Sequence, residues 1–278
     1  MELVMLIPRI CLTFILVILL HSNAYASAPV KIVSVMYPPL TFDNNVPGFG
    51  EGMLRDIVTE SFNAVGLEAE YELLPMSRNV WSINNHVSEA CIGAMQWFRE
   101  SGDEADVDCI DLVNLSFVAF YKVKHFPDGM NFSNLDDLKE FRFGNVRGSS
   151  SQRTLDEAGL TTDLTRNITL NFLKLDADRF DFAVAFRVTG EYLITELFPQ
   201  RVAEFAFVPK SLLKMPLSMI FRKEKRVLKK GFVEGLNEIV RNGTYYSILE
   251  RYYGKGRVPE DVVPEPLRNL TGMVSRVK

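Results

Sequence analysis

The stretch KIVSVMYPPLTFDNNVPGFGEGMLRDIVTESFNAVG, residues 31–66, determines the fold class of this chain. Its first part is a short apolar run that ends at Pro38 and Pro39, which cannot continue a helix. From Met53 the apolar residues follow helical spacing, and Gly66 closes that pattern as a helix C-cap. The stretch therefore predicts a buried strand, a glycine-rich loop and an amphipathic helix.

The same alternation of strand and helix continues along the chain. Apolar runs predict strands at residues 69–74, 90–95, 141–146, 164–168, 182–186 and 217–221. Helical spacing or a helix-start pattern predicts helices at residues 77–86, 133–140, 149–158, 171–175, 228–240 and 244–253. Because the connections are short, we expect an α/β fold with mostly parallel sheets flanked by helices.

The pattern breaks near residues 125–129 and then restarts, which indicates two lobes. We expect lobe 1 to comprise residues 27–120 and 212–254, and lobe 2 residues 121–211. Segments near residues 117–123 and 208–221 would cross between the lobes, and two such crossings permit hinge closure on a ligand. The proline-containing residues 255–278 are expected to form an extended C-terminal tail.

The first 26 residues have the features of an export signal. Arg9 precedes an apolar run of about 11 residues, too short for a membrane span of about 20, and Ala24-Tyr25-Ala26 forms a cleavage site. A start at Met5 instead of Met1 is an alternative, since Glu2 is unusual ahead of Arg9. Cleavage near Ala26 predicts a periplasmic protein that is not embedded in the membrane.

Composition limits the classes of function. Without its first 26 residues the 278-residue chain has 252, which suits one large or two small domains of roughly 100–200 residues each. The net charge of -4 gives no basic surface for nucleic acid. No catalytic or cofactor motif is present, and the acidic run at residues 103–108 lacks the pattern of a calcium loop, so no cofactor or metal is expected.

Two cysteines, Cys91 and Cys109, remain after cleavage of the signal. An oxidising compartment permits a disulfide between them, which the chain-entropy model values at about 3 kcal/mol for a loop of this length. The alternative is two separate buried thiols.

Six stretches, in this order and spacing, resemble the periplasmic (extracellular) solute-binding protein family 3, which includes the polar amino-acid binders. They are KIVSVMYPPLTF (31–42), GEGMLRDIVTESFNAVG (50–66), PMSR (75–78), NVRGSS (145–150), DRFD (178–181) and FVEGLNEIVRNGTYYSILERYYG (232–254). The resemblance extends over nearly the whole mature chain. It implies the two-lobed periplasmic-binding-protein fold of type II, with a ligand held in the cleft between the lobes.

The resemblance also implies several ligand-binding residues. Tyr37 lies on the first cleft loop, where the family places an aromatic ring; the alternative is that it packs on the neighbouring prolines. Ser149 and Ser150 match the family's Thr-Thr position at a helix start, which attracts anions, although one of them could simply be the N-cap. Arg147 could assist them.

The next three candidates come from lobe 1. Arg99 could clamp a ligand carboxylate, as an arginine does in many amino-acid binders. In a second branch of the family the register differs, so that Arg99 replaces a lysine and Asp103 takes the arginine position; a surface arginine is also possible. Trp97 is expected to form a cleft wall. Arg78 could reach the cleft or pair with an acidic neighbour.

Phe186 is the main departure from the family. Amino-acid binders place an aspartate five residues beyond the position of Asp181 to hold the ligand's ammonium group, and here that position is Phe186. An aromatic ring cannot form a salt bridge, although a cation–π contact is possible. The sequence therefore favours an anionic or aromatic small molecule over a standard α-amino acid.

These features predict a monomeric solute-binding protein that delivers its ligand to the membrane permease of an ABC-type importer. One alternative is a sensory protein that presents the same ligand to a membrane receptor. Another is a dehydratase-like enzyme of the same fold, which would need Glu191 or Asp181 inside the cleft.

Overall fold

The computed structural model describes residues 28–271, so the predicted export signal lies outside the described residues. The strands are β1 Val30–Ser34, β2 Ala69–Leu73, β3 Ala90–Gly93, β4 Val107–Lys122, β5 Arg142–Val146, β6 Thr161–Thr165, β7 Phe182–Phe186, β8 Phe205–Phe207 and β9 Leu213–Arg222. The helices are α1 Met53–Asn63, α2 Met76–Asn84, α3 Met95–Ser101, α4 Ser150–Glu157, α5 Ile168–Asp176, α6 Arg187–Leu197, α7 Arg226–Arg241, α8 Thr244–Tyr253 and α9 Glu265–Arg268. Over residues 28–271, none of the helices combines the length and apolarity that a bilayer crossing requires.

The strands form two parallel groups joined by a long antiparallel pair. The order is β2-β1-β3-β9-β4-β7-β5-β6, and β8 pairs with β4 outside this path. Pairing is parallel among β1, β2 and β3 and among β5, β6 and β7, whereas β9 and β4 are antiparallel to their neighbours. The expected mixed α/β architecture with mostly parallel strands is confirmed. We call the group around β1–β3 unit 1 and the group around β5–β7 unit 2.

The crossing strands are longer than the sequence indicated. β4 and β9 remain paired from Val107↔Arg222 to Phe117↔Leu213, with an irregularity in register between Asp111 and Val113. The first half of β4 contains Asp108 and Asp111, which interrupt its apolar run, so the apolar pattern did not predict a strand there. The crossing therefore begins about ten residues before the predicted segment at 117–123.

Apart from α9, two helices were not expected from the sequence, α3 and α6. Both begin directly after a buried strand, at Met95 and Arg187. Neither has a Ser, Thr, Asp or Asn at its N-cap, so the usual sequence signal of a helix start is absent. β7 and α8 have the predicted limits. β6 and α5 each begin three residues before the predicted positions 164 and 171, and the predicted helix at 133–140 is a 3₁₀ turn at Leu135–Leu138.

The C-terminal segment is not extended, which corrects the expectation for residues 255–271. It contains a 3₁₀ turn at Glu260–Val262 followed by α9, and it buries Val262, Val263 and Leu267. Pro266 lies within the first turn of α9, where a missing N–H removes no helical hydrogen bond, so proline is compatible with this helix. Residues 272–278 lie outside the described part.

The two cysteines lie on opposite sides of one strand. Cys91 on β3 and Cys109 on β4 are both in register with Ile220 on the intervening β9, and both thiols are free. Neighbouring strands are about 4.8 Å apart, so the two Cα atoms are roughly 10 Å apart. A disulfide requires less than about 7 Å. Because β9 separates the two residues, the structure favours the alternative of two separate thiols, of which Cys91 is buried as expected and Cys109 is exposed.

Thiol labelling checks this placement. In the folded mature protein, without reductant, we expect a maleimide to label Cys109, which is exposed, and not Cys91, which is 0% exposed. Partial burial and the neighbouring Asp111 raise the pKa of Cys109, so labelling should accelerate as the pH rises above the ordinary range for a thiol. Denaturation without reductant should make the second thiol, that of Cys91, reactive as well. If no second thiol reacts, the two cysteines form a disulfide.

The returning helix α7 packs directly on α1. A Cβ atom on Gly235 would overlap the carbonyl oxygen of Ser61, so only glycine allows this approach. The rings of Phe62 and Phe232 meet beside it, with centroids 5.1 Å apart. This contact attaches the C-terminal helices to unit 1.

A matched pair of glycines on α7 tests the contact. We expect Gly235→Ala to destabilise the protein by about 1–3 kcal/mol through overpacking. Gly231→Ala lies on the same helix with open space around it, and should be neutral or stabilising by about 0.5–1 kcal/mol. Chemical denaturation of both variants gives the comparison, and equal stability would show that α7 does not approach α1 so closely.

Candidate functional site

A cleft of about 610 Å³ lies where the carboxyl ends of the parallel strands of both units face each other. Unit 1 contributes the segments after β1, β2 and β3, and unit 2 those after β5 and β6 together with the end of β7. Phe117 and Leu217 of the crossing strands also line it. Ligands of open α/β sheets bind at such carboxyl ends, so this cleft is the candidate site.

Six of the eight residues predicted to contact a ligand line this cleft. They are Tyr37, Trp97, Arg147, Ser149, Ser150 and Phe186. The other two, Arg78 and Arg99, are exposed and are not among the lining residues.

Arg99 points away from the cleft because of its position on α3. Successive helical residues are rotated by about 100°, so Arg99 lies on the face opposite Trp97, two residues earlier. Its Nε donates to Glu104 Oε1 at 2.6 Å, in an exposed ion pair. The structure thus favours the surface-arginine alternative over a carboxylate clamp. Arg78, in the first turn of α2, has no side-chain partner among residues 28–271 and does not line the cleft.

Aromatic rings connect the two units at the cleft. Tyr37 from the loop after β1 meets Phe186 at the end of β7 edge-on, with centroids 5.8 Å apart. Phe117 stacks on Phe186 at 3.9 Å. Burial raises the pKa of Tyr37, so its phenol remains neutral at physiological pH. Tyr37 therefore lines the cleft and packs on Phe186 across it, a contact that the sequence did not predict.

Trp97 presents a hydrogen-bond donor that has no acceptor. Its indole lies over Gly93, where any Cβ atom would overlap the ring. The indole Nε1 is buried and makes no hydrogen bond within the described chain. An unpaired buried donor is unfavourable, and a bound ligand could supply the acceptor.

The start of α4 is organised by Asn145. Its Oδ1 accepts from Ser149 Oγ at 3.0 Å, from Ser151 Oγ at 3.1 Å and from the N–H of Val146 at 2.9 Å. Ser149 occupies the N-cap position, but its side chain makes no capping bond. The donors that remain for a ligand are the N–H groups of the first helical turn and the hydroxyl of Ser150.

Arg166 is a cleft residue that sequence reasoning missed. Arg147 and Arg166 each follow the last register pair of β5 and β6, Val146↔Thr165, and the N–H of Arg147 donates to Thr165 O at 2.9 Å. Neither guanidinium has a partner within residues 28–271. The predicted strand at 164–168 ran through Arg166; the N-cap at Asn167 was the signal that the strand ends earlier.

Carboxylates do not line the cleft anywhere in the described chain. Glu191 accepts from Arg187 Nε at 3.1 Å, and Asp181 accepts from the N–H of Arg142 at 2.8 Å, both outside the cleft. Neither of the two candidate acids of the dehydratase alternative therefore lies in the cleft. Residues 28–271 also contain no group of three or more His, Cys, Asp or Glu side chains placed to hold a metal ion.

No protein-family model matches this chain, and no curated protein matches it. Solved structures do match. A histidine kinase sensor domain with similarity to periplasmic binding proteins is 20% identical, with a TM-score of 0.68, over 82% of this chain and 97% of that chain. The substrate-binding protein of an amino acid ABC transporter is 16% identical, with a TM-score of 0.65, over 82% of this chain and 100% of that one.

A third similar structure is the arginine-, lysine-, histidine-binding protein of Geobacillus stearothermophilus. It is 17% identical, with a TM-score of 0.66, over 87% of this chain and 99% of that one. At these identities the likeness concerns the fold. The chain has the two-lobed periplasmic-binding-protein fold, and from here on we call unit 1 lobe 1 and unit 2 lobe 2.

The two tryptophans of the chain provide a test of the cleft geometry. Trp81 is 57% exposed, whereas Trp97 is half-buried in the cleft. We expect Trp81→Phe, which keeps Trp97, to emit at shorter wavelength and to resist quenching by iodide. Trp97→Phe, which keeps Trp81, should show the opposite behaviour. Equal quenching of the two variants would contradict the placement of Trp97.

Proposed function

We propose that this chain is an exported, periplasmic solute-binding protein that captures a small organic anion between its lobes for delivery to an ABC-type importer. The observation that carries the proposal is a cleft at the carboxyl ends of both parallel strand groups; among residues 28–271, its two arginines have no partner and no carboxylate lines it. Apolar walls with a few convergent polar groups are typical of small-molecule sites.

Two aromatic contacts indicate how the lobes close on a ligand. Tyr37 meets Phe186 across the cleft, and Phe49 of lobe 1 meets Tyr192 of α6 with centroids 5.1 Å apart. Both contacts join residues on opposite sides of the crossing strands. Closure of this kind buries the solute and creates a surface that a permease can distinguish from the open form. A monomer suffices for this cycle.

The similar structures favour an amino-acid-like solute, since they include a binding protein for amino acid transport and one for arginine, lysine and histidine. The cleft favours an anion, because it contains Arg147 and Arg166 and Phe186 occupies the expected aspartate position. An organic acid related to an amino acid satisfies both.

Sensing is the second candidate function. The similarity to a histidine kinase sensor domain supports it, and the same cleft would serve. The distinction depends on the membrane protein that recognises the closed form.

A thermal-shift panel of amino acids, dicarboxylates, aromatic acids and oligopeptides tests the proposal. A solute at 100-fold its dissociation constant should add about 2.7 kcal/mol to the free energy of unfolding. We expect Arg147→Glu to abolish the shift and Arg78→Glu, outside the cleft, to retain it. A shift that survives Arg147→Glu would place binding elsewhere, and a solute chemically converted on incubation would support an enzyme.

A further inference from the structure

We propose that the cleft selects organic monocarboxylates that have an apolar body and no ammonium group, with the carboxylate held on lobe 2 by Arg147 and Arg166. This inference rests on the proposed function and adds the class and orientation of the solute. It follows from how polarity is distributed between the two walls of the cleft.

Among the described residues, the lobe 1 wall offers a ligand only uncharged polar groups, namely the indole N–H of Trp97 and the hydroxyls of Tyr37 and Ser77. The hydroxyl of Ser34 donates to Ile92 O at 3.2 Å, and that of Thr41 donates to Val35 O. Both hydroxyl protons are therefore committed to the protein backbone. Much of the remaining surface of this wall is aliphatic or thioether: Met36, Leu40, Leu54, Leu73, Leu74 and Met76. Such a wall suits an apolar body.

The lobe 2 wall has the opposite character. Arg147 and Arg166 leave adjacent parallel strands at the same level, and the first turn of α4 lies directly after Arg147. A guanidinium binds a carboxylate through two parallel hydrogen bonds, and a helix start adds N–H donors. With the Arg99 guanidinium paired to Glu104, lobe 1 contributes no arginine to the cleft. The anion therefore belongs on lobe 2.

An ammonium group would have no counter-ion in this site. Among the described residues that line the cleft there is no carboxylate, and Arg147 and Arg166 would repel the ammonium group of the ligand. A cation–π contact with Phe186 is obstructed, because Phe117 stacks on one face of the ring and Tyr37 also contacts it. The site therefore penalises an α-amino acid relative to the same acid without its amino group.

Titration calorimetry on matched pairs tests the inference. The pairs are 3-phenylpropanoate and L-phenylalanine, 3-(indol-3-yl)propanoate and L-tryptophan, and hexanoate and L-norleucine. Each pair differs by one ammonium group. We expect at least one acid to bind, and to bind at least about tenfold more tightly than its amino acid.

The arginines are tested with the acid that binds best. We expect Arg147→Gln and Arg166→Gln each to weaken binding at least about tenfold, with partial recovery in Arg166→Lys. Arg78→Gln, exposed and outside the cleft, should leave the affinity within about threefold. An unchanged unfolding midpoint of each variant excludes loss of folding as the cause.

Three results would overturn the inference. The first is that the amino acid binds more tightly than its acid in every pair that binds. The second is that both glutamine variants keep the affinity of the unchanged protein. The third is that none of the acids binds with a dissociation constant below about 1 mM. If an amino acid binds and Arg147→Glu abolishes that binding, the solute-binding function stands and only the solute class is wrong. If the whole panel fails to bind in the cleft, the proposed function fails as well.

Discussion

The antiparallel pairing of β4 with β9 is the constraint on which the rest of the structure depends. Lobe 1 attaches to this pair through β3, and lobe 2 attaches through β7. At the irregularity in β4, the buried carbonyl of Leu112 accepts a hydrogen bond from the hydroxyl of Tyr245, so α8 supports the one place where the ladder is disturbed. The cleft exists because this pair holds the carboxyl ends of two separate strand groups opposite each other.

The two cleft walls can therefore differ in chemistry, because the strand pair that holds them opposite each other does not depend on the residues that line them. Lobe 1 supplies aliphatic and aromatic surface, and lobe 2 supplies cations and helix-start donors. Asn145 maintains the second wall by accepting three hydrogen bonds, which fixes the start of α4. Phe186 completes the arrangement with a ring that packs on Tyr37 and Phe117.

Sequence reasoning predicted the architecture well because strand and helix periodicity are local properties. β7 and α8 needed only their own residues to be located. It predicted poorly wherever the answer depended on a neighbouring strand or on the direction of a side chain. The separation of Cys91 from Cys109 depends on β9, which lies between them, and the exposed ion pair of Arg99 depends on the rotation of α3. Arg166 was missed because a strand boundary was placed too late, which hid a cleft residue inside a strand.

For the anionic solute that we propose, the placement of Arg147 and Arg166 on lobe 2, without partners among residues 28–271, has a kinetic consequence. In an open form, the field of Arg147 and Arg166 acts on an approaching anion before the apolar wall can contact it. Capture is then a steered encounter with lobe 2, and its rate should fall as added salt screens the field over about 10 Å. Escape is governed differently, because it requires re-hydration of the apolar body on lobe 1, a step on which salt has little influence. Lobe 2 thus governs mainly the association rate of the solute, and lobe 1 governs mainly its dissociation rate.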